Sequence, residues 1–578
     1  MNAYDVIKNE IQKLGGENVS FILETPSDIA YGDYATNVCL VLAKPRGVSP
    51  KALADEFVAK LEIALKEKGV ISKIEIAGPG FINFFLTDEK IREENKEKEI
   101  SIRLKGKKIL VEHSSPNLFK PFHIGHLMNN IVGEFVTRAV ARGGTQPQVL
   151  CFPSDISFGI AKAIYIWKKD KEEGVSPDIN FLLQDHSLEE ESKIVDYFGT
   201  CYVRGVALAK ENQEAEKEMR QIAKNLYEKN SGEDVELWHK ARSINTIYFE
   251  NALESLGSKM GKVIFESDVE EIGKEIVLNH TGEGKVFTES QGAIVYVPDE
   301  ERKDINTSVF INSEGHPTYE AKDIGLIYKK FTEYGNVDVS YFITDTEQTH
   351  HFKVVLDATS KIDATWKSWA DKSIHVPHGR MLFKGAKMSS RLGGVPLALD
   401  VIAAVEEEVR EKSSDKIAHL SDEEKDSLVR DVALSALRVA VLRSKPGINI
   451  NFDPETSLSF EGDSGPYLMY THARTSSLLE KGGVENPEFG NFAATSLERE
   501  LLHYEEVLTD VIDTLSPQKL VSYLFTIAQS FNSYYASNQI IVEEDVEGNA
   551  HRLAIVRRVK YILKDGLHVL GCNAPERM

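Results

Sequence analysis

Apolar residues follow two periods along this chain, and the switches between them mark its elements. Ile109, Leu110 and Val111 form a short continuous apolar run of the kind a buried parallel strand uses. Pro116 and Pro121 hold the next residues out of helix, because the residue before a proline is pushed toward extended backbone. From Leu127 the period turns helical (Leu127, Ile131, Phe135, Val136, Ala139), and Gly143-Gly144 ends the run. The spacing predicts strand, long loop, helix, with His123-Ile124-Gly125-His126 at the helix entrance.

Before this stretch, Val6, Ile7, Ile11 and Leu14 predict a first amphipathic helix. Ser49-Pro50 is a helix start signal, with Ser as cap and Pro at the first helical position, and Leu53, Phe57, Leu61 and Leu65 then recur every fourth residue. Ile71 to Ile76 and Phe81 to Leu86 read as strands around the Gly78-Pro79-Gly80 turn. After it, Pro147 to Phe152 and Val337 to Thr344 read as further strands. Between Lys168 and Asp304 the chain is long, charged and helical in pattern, as in Asn212 to Lys229. This is expected to be an insertion between two halves of a nucleotide-binding fold, its charged helices mainly solvated. After Glu406 the pattern is helical to the end, apart from a break between Pro446 and Pro454.

Length adds the expectation of three or four domains: 578 residues hold several cores. The 42% hydrophobic and 27% charged fractions are those of a soluble globular protein; no apolar stretch is long enough for a membrane span, and the first residues lack a signal-peptide pattern, so a cytoplasmic setting is expected. Four cysteines (Cys39, Cys151, Cys201, Cys572) stand apart with no C-x-x-C spacing, which argues against structural zinc and disulfides. The net charge of −22 weighs against nucleic-acid binding, although a local basic face can survive such a sum.

The helix entrance carries the candidate chemistry. Unpaired N–H groups and the positive dipole end favour phosphate there. His123 and His126 can donate hydrogen bonds to a phosphoryl group as its charge grows, and Gly125, lacking a Cβ, lets a flat base lie close to the backbone. Tyr319 and Asp323, four apart on one helical face, offer a phenol oxygen and a carboxylate to a guanidinium's five donors. His551 to Lys564 holds Arg552, Arg557, Arg558, Lys560 and Lys564 with no acid, the expected basic footprint.

The string V-E-H-S-S-P-N-x-x-K-P-F-H-I-G-H-L resembles the HIGH motif of class I aminoacyl-tRNA synthetases, and specifically that of arginyl-tRNA synthetases. Gly385-Ala386-Lys387-Met388-Ser389-Ser390-Arg391 resembles the second class I motif, KMSKS, with Ser390 where its second lysine stands. Tyr-x-x-x-Asp at Tyr319 and Asp323, Gln-x-x-His-Phe at Gln348, G-P-G-F-I-N-F near the start, the Ser464 to Arg474 segment and the ending A-P-E-R-M are similar to the same family. The resemblance implies an α/β fold: a class I Rossmann-like parallel-sheet core with an insertion, a small N-terminal α/β domain and a C-terminal all-α anticodon-binding bundle. The implied division is 1–87 for the N-terminal domain, 88–104 for a charged linker, 105–405 for the catalytic domain with its insertion at about 168–304, 406–463 for a helical connection, and 464–578 for the bundle.

The implied activity is arginine–tRNA ligation through arginyl-adenylate, with ATP, Mg2+ carried by the nucleotide, L-arginine and tRNA for arginine as partners, no metal site of the protein's own, and a monomer. His123, His126, Lys120 and Lys387 are the implied catalytic groups, Lys120 compensating for the lysine missing at Ser390. Gly125, Met388, Ser389, Ser390 and Arg391 would meet ATP. Glu112, Ser115, Asn117, Tyr319, Asp323 and Gln348 would hold arginine. Phe81, Asn83, Tyr470, Arg474, Arg557 and Arg558 would meet tRNA. The resemblance also implies that activation needs bound tRNA. The Ser154-Asp155 segment departs from the family's Gly-Asp-Trp-Gly-like pattern. The alternative is a catalytically silent copy that binds tRNA or protein.

Overall fold

The computed structural model describes residues 2–26, 28–96, 103–179, 187–383, 396–413 and 420–578. Its centre is a five-stranded sheet, all parallel: β1 (Ile109–Glu112), β2 (Gln148–Cys151), β3 (Lys262–Val263), β4 (Val339–Asp345) and β5 (Ser373–His378), in the order 5-4-1-2-3. Every residue of β1 is buried, which is why its apolar run does not alternate. Three helices matter for the site: α1 (Ile124–Arg142), α2 (Tyr319–Tyr334) and α3 (Thr349–Ser360). The strand order reverses between β1 and β4. Ligands of open parallel sheets bind in the crevice beyond the carboxyl ends of the strands at such a point.

The 168–304 stretch is more than solvated helices. Leu188–Glu211, Gln213–Tyr227 and Glu233–Ser255 pack on Phe158–Glu172 and bury Phe198, Met219, Leu226, Trp238, Tyr248 and Phe249. Most of their charges stay on the solvated face while apolar residues recur at helical spacing on the other; Glu191, buried, accepts from Asn251. The same stretch returns β3 to the central sheet. Helix Glu270–Asn279 then crosses α2 so closely that a Cβ on Gly273 would lie 1.9 Å from the Ala321 carbonyl oxygen, and one on Gly325 2.4 Å from that of Val269. Only glycine fits either position.

At the N-terminus, Leu23–Glu24, Tyr34–Thr36, Phe81–Leu86 and Ile71–Ala77 form an antiparallel sheet in that order, and helix Pro50–Glu67 starts with Ser49 accepting from Ala52 N–H. The first part of the expected charged linker is helical: Asp88–Asn95 is capped by Thr87 and buries Ile91. It leads onto the C-terminal bundle, whose helices include Gly465–Gly482, Tyr504–Thr514, Pro517–Ser537 and Val546–Val569. Asn95 donates to the Glu498 carbonyl, Tyr34 donates to Glu506, and Leu502 joins the N-terminal core. Asp33, wholly buried, accepts from Leu86 N–H at 2.7 Å and pairs with Arg499 at 2.8 Å.

Arg499→Ala is therefore expected to leave a buried carboxylate short of its partner and cost about 2–3 kcal/mol, the scale of lost hydrogen bonds to a charged group. Thermal unfolding followed by limited proteolysis should show the N-terminal domain loosening first. All four cysteines are free and buried. No helix among the described residues is long and apolar enough to cross a membrane.

Candidate active site

The loop from β1 to α1 is held from several sides. Ser114 and Phe119 adopt positive φ (56° and 62°), a costly backbone for residues with a Cβ, and buried contacts enforce it. Asn245 Oδ1 accepts from Phe119 N–H, and Tyr248 accepts from Phe122 N–H. Asn129 on α1 accepts from Ser114 N–H and donates to the Ile343 carbonyl of β4, so one side chain ties α1 to both strands of the crevice. On the far side, Ile124 N–H donates to Pro396 O and Ala398 N–H to Phe122 O. Met381–Phe383 pairs with Ile450–Phe452. Both flanks of 384–395 are thus anchored, the second directly on the helix entrance. Lys387, Met388, Ser389, Ser390 and Arg391 themselves lie outside the described residues.

The two histidines close the helix start reciprocally. His123 Nδ1 accepts from Gly125 N–H at 3.1 Å, and His126 Nδ1 accepts from His123 N–H at 3.2 Å. A ring nitrogen that accepts carries no proton, so each ring places its proton on Nε2. The rings stack with centroids 3.8 Å apart. A Cβ on Gly125 would lie 3.0 Å from His123 Cε1, so glycine makes room for this ring. Burial, then the positive charge of Lys120, holds His123 below the ordinary imidazole value. Burial, then His123 and Lys120, holds His126 well below it. The pair therefore presents two neutral N–H donors rather than imidazolium ions. Lys120 rests over the Tyr202 ring, with Nζ 5.3 Å from its centroid.

The histidines around the crevice set an acid limit on stability. His375 is pushed down to about 4, first by burial and then by the charges of His378 and His351, and burial also lowers His378. Unfolded imidazoles titrate near about 6.5. Groups depressed on folding contribute stability that is present above that value and lost as pH falls through the folded ones. The thermal midpoint is expected to drop between pH 7 and pH 5, and His375→Gln should remove part of that slope.

The second half of the site hangs on α2, which starts at Tyr319. Asp323 Oδ2 meets His351 Nε2 at 2.5 Å, linking α2 to α3. Glu112, at the end of β1, pairs with Lys330, so one of its oxygens is already engaged. Lys322 Nζ, fully buried, reaches Glu266 at 2.6 Å and the Ile156 carbonyl at 3.0 Å. Asp155, also fully buried, accepts from Ser267 N–H and Oγ–H and from Arg242, which makes it a brace between 154–157 and 265–268. A cavity of about 550 Å³ opens beside Tyr319 and Lys322, walled by Phe158, Tyr202, Arg220 and Tyr227. The inserted helices thus wall this cavity through Tyr202, Arg220 and Tyr227.

Other expected residues fall as follows. Asn117 is exposed in the loop and bridges Ser154, and Gln348 is exposed as the residue capping α3. Ser115 Oγ accepts from Phe152 N–H, which leaves its own proton to donate. Asn83 lies in the middle of the N-terminal sheet, 4% exposed, although strand alternation puts it on the same face as Phe81, which stays exposed, and opposite Ile82, Phe84 and Leu86 of the core. Arg558 is also buried, 2% exposed, its guanidinium 3.7 Å from Glu505 and over the Tyr561 ring. The expected basic face is also partly neutralised, Arg552 by Asp545 and Lys560 by Glu576. Arg557 is half-buried. Arg474 stacks on Tyr470 and Tyr535 and donates to Asn532.

Sequence reasoning missed His351, Lys330 and Lys322. The only signal for His351 was its place in the Gln-x-x-His-Phe segment; the two lysines looked like ordinary surface charge on α2.

Three family models match the chain in order: the arginyl tRNA synthetase N terminal domain over residues 2–86, the class I (R) tRNA synthetase catalytic domain over 90–453, and the DALR anticodon binding domain over 468–578. The arginine–tRNA ligase of Exiguobacterium sibiricum is 28% identical over 592 residues, covering 100% of this chain and 98% of that one. That of Clostridium perfringens is 26% identical over 581 residues, covering 97% of each. Among solved structures, the Thermus thermophilus arginyl-tRNA synthetase superposes with a TM-score of 0.78 at 25% identity, covering 100% of this chain and 99% of the other.

Proposed function

This chain belongs to the arginyl class I tRNA synthetases, and from that premise we propose how its residues divide the work of an arginine–tRNA ligase. In the first step the arginine carboxylate attacks the α-phosphorus of ATP and pyrophosphate leaves. His123 and His126 donate Nε2–H to the α-phosphoryl oxygens as negative charge grows on them. Neutral donors with a fixed tautomer need no reorganisation at that moment. Lys120 and Lys387 balance the triphosphate, Met388, Ser389, Ser390 and Arg391 contact ATP, and Gly125 accommodates the base. Mg2+ arrives with the nucleotide.

Tyr319 and Asp323 take the guanidinium, with the second oxygen of Glu112. Asn117, Gln348 and the Ser115 hydroxyl hold the α-amino and carboxyl groups. A lysine ammonium cannot satisfy acceptors arranged for a planar fork, and buried acceptors left unpaired are costly. In the second step the terminal ribose hydroxyl of the tRNA attacks the adenylate carbonyl and AMP leaves, a step driven by positioning. Bound tRNA gates the first step. Phe81, Tyr470, Arg474 and Arg557 are the tRNA-facing candidates that remain once Asn83 and Arg558 are set inside their domains. The protein works as a cytoplasmic monomer.

The observation that carries this reading is the pair of stacked imidazoles at the head of α1, each accepting at Nδ1 and so protonated on Nε2, in a chain that also sets an acid and a phenol one turn apart on α2. A silent binder has no use for either. Incubation with tRNA, ATP and radiolabelled arginine should leave label on tRNA, and label from lysine should stay free. Label from lysine but not arginine would overturn the pocket assignment.

A further inference from the structure

His351 holds a place in the amino-acid site that no step above uses. It projects from the first turn of α3, and its Nε2–H donates to Asp323 Oδ2 at 2.5 Å. Its Nδ1 lies 3.7 Å from Glu320 Oε1. The ring is therefore clamped between two carboxylates of α2, with the edge of Phe352 against it. Burial works against a charged ring here. The hydrogen bonds and charges of Asp323 and Glu320 outweigh it and hold the imidazolium up to about 10. One cation between two carboxylates leaves a net charge of minus one, the amount a single guanidinium neutralises.

The bond engages one oxygen of Asp323 and fixes the plane of the carboxylate. It also spans the site. Gln348 caps α3 three residues before His351, so the same contact sets the amino-group end of the pocket relative to the guanidinium end. We propose that His351 is a positioning residue for the amino acid: by donating to Asp323 Oδ2 it aims Oδ1, beside the Tyr319 oxygen, at the planar fork of the substrate and holds Gln348 at the matching distance. The assignment rests on the arginine reading above and deepens it. His351 touches no reacting atom. Its effect belongs in arginine affinity and not in the chemical step.

The test uses the full chain with its tRNA present, measuring radiolabelled arginine by equilibrium dialysis and the steady-state constants of aminoacylation. His351→Ala is expected to raise the arginine Kd and KM by about thirtyfold, within the range by which an orienting partner outside the first contact layer acts. It should leave kcat at saturating arginine within about threefold and the KM for ATP unchanged. His351→Gln, whose amide reaches the Nε2 position, should recover most of the affinity, and His351→Asn, which is too short, should not. That order among Gln and Asn decides the matter even if the alanine variant does not fold.

Arginine affinity equal to wild type in folded variants would overturn the assignment alone. So would tighter arginine binding, which would make His351 a competing cation. A parallel rise in the KM for ATP with loss of thermal stability would make it merely structural. Wild-type protein that retains another amino acid in place of arginine would overturn the substrate reading itself, and the assignment with it.

Discussion

Replacing His126 with alanine is expected to slow arginine activation by about a hundred- to a thousandfold, the loss that follows removal of one preorganised donor to a developing oxyanion. His126 does two things, and the variants must separate them. Its Nδ1 accepts from His123 N–H and closes the helix start, which leaves its proton on Nε2 as the donor proposed for the phosphoryl group. His126→Asn places an acceptor near Nδ1 and keeps the cap, but it cannot reach the Nε2 position. The asparagine variant should therefore keep most of the thermal stability and still lose activity like alanine. An asparagine variant with near wild-type kcat would mean that the cap, and not the donor, is what the reaction needs.

The second large effect is expected at Asp323. Asp323→Asn keeps the shape of the side chain but removes the charge that faces both His351 and the guanidinium. Truncating one partner of a hydrogen-bonded buried charge pair costs about 2–5 kcal/mol. A value near about 4 kcal/mol is a thousandfold loss of kcat/KM for arginine. The KM for ATP should hold, because the groups assigned to the nucleotide belong to the loop and first turn of α1 and to residues 387–391, and none belongs to α2. An unchanged kcat/KM for arginine in Asp323→Asn would remove the guanidinium from this end of the crevice.

The parts of this protein legible in its sequence are those specified locally. The apolar run of β1, the capping signal at Ser49-Pro50, the stop at Gly143 and the four-residue step from Tyr319 to Asp323 each lie within a few residues, where strand and helix periods act. What escaped was set by partners far away in the chain. Glu112 and Lys330 are separated by 218 residues, and Lys322 and Glu266 by 56. No periodicity reveals that a charge on a helix is buried until its counter-ion is known. The same limit explains Arg558, which fits a basic helix in sequence but lies inside the bundle near Glu505. Asn83 shares the face of Phe81 and Phe85 by strand alternation, opposite the core residues Ile82, Phe84 and Leu86, so its burial at 4% exposure does not follow from the period. The inserted helices hid their role because their supporting contacts to the loop, through Asn245 and Tyr248, are single side chains in otherwise ordinary helical patterns.

The central claim is that one crevice brings arginine, ATP and tRNA to the same pair of donors. Arginine-dependent ATP–pyrophosphate exchange, run with and without tRNA, tests it most directly. The account predicts exchange that requires arginine, appears only when tRNA is present, and is nearly abolished in His126→Asn. Exchange with arginine in the absence of tRNA would keep the ligase and contradict the gating. Folded protein that shows no arginine-dependent exchange under either condition would contradict the account as a whole.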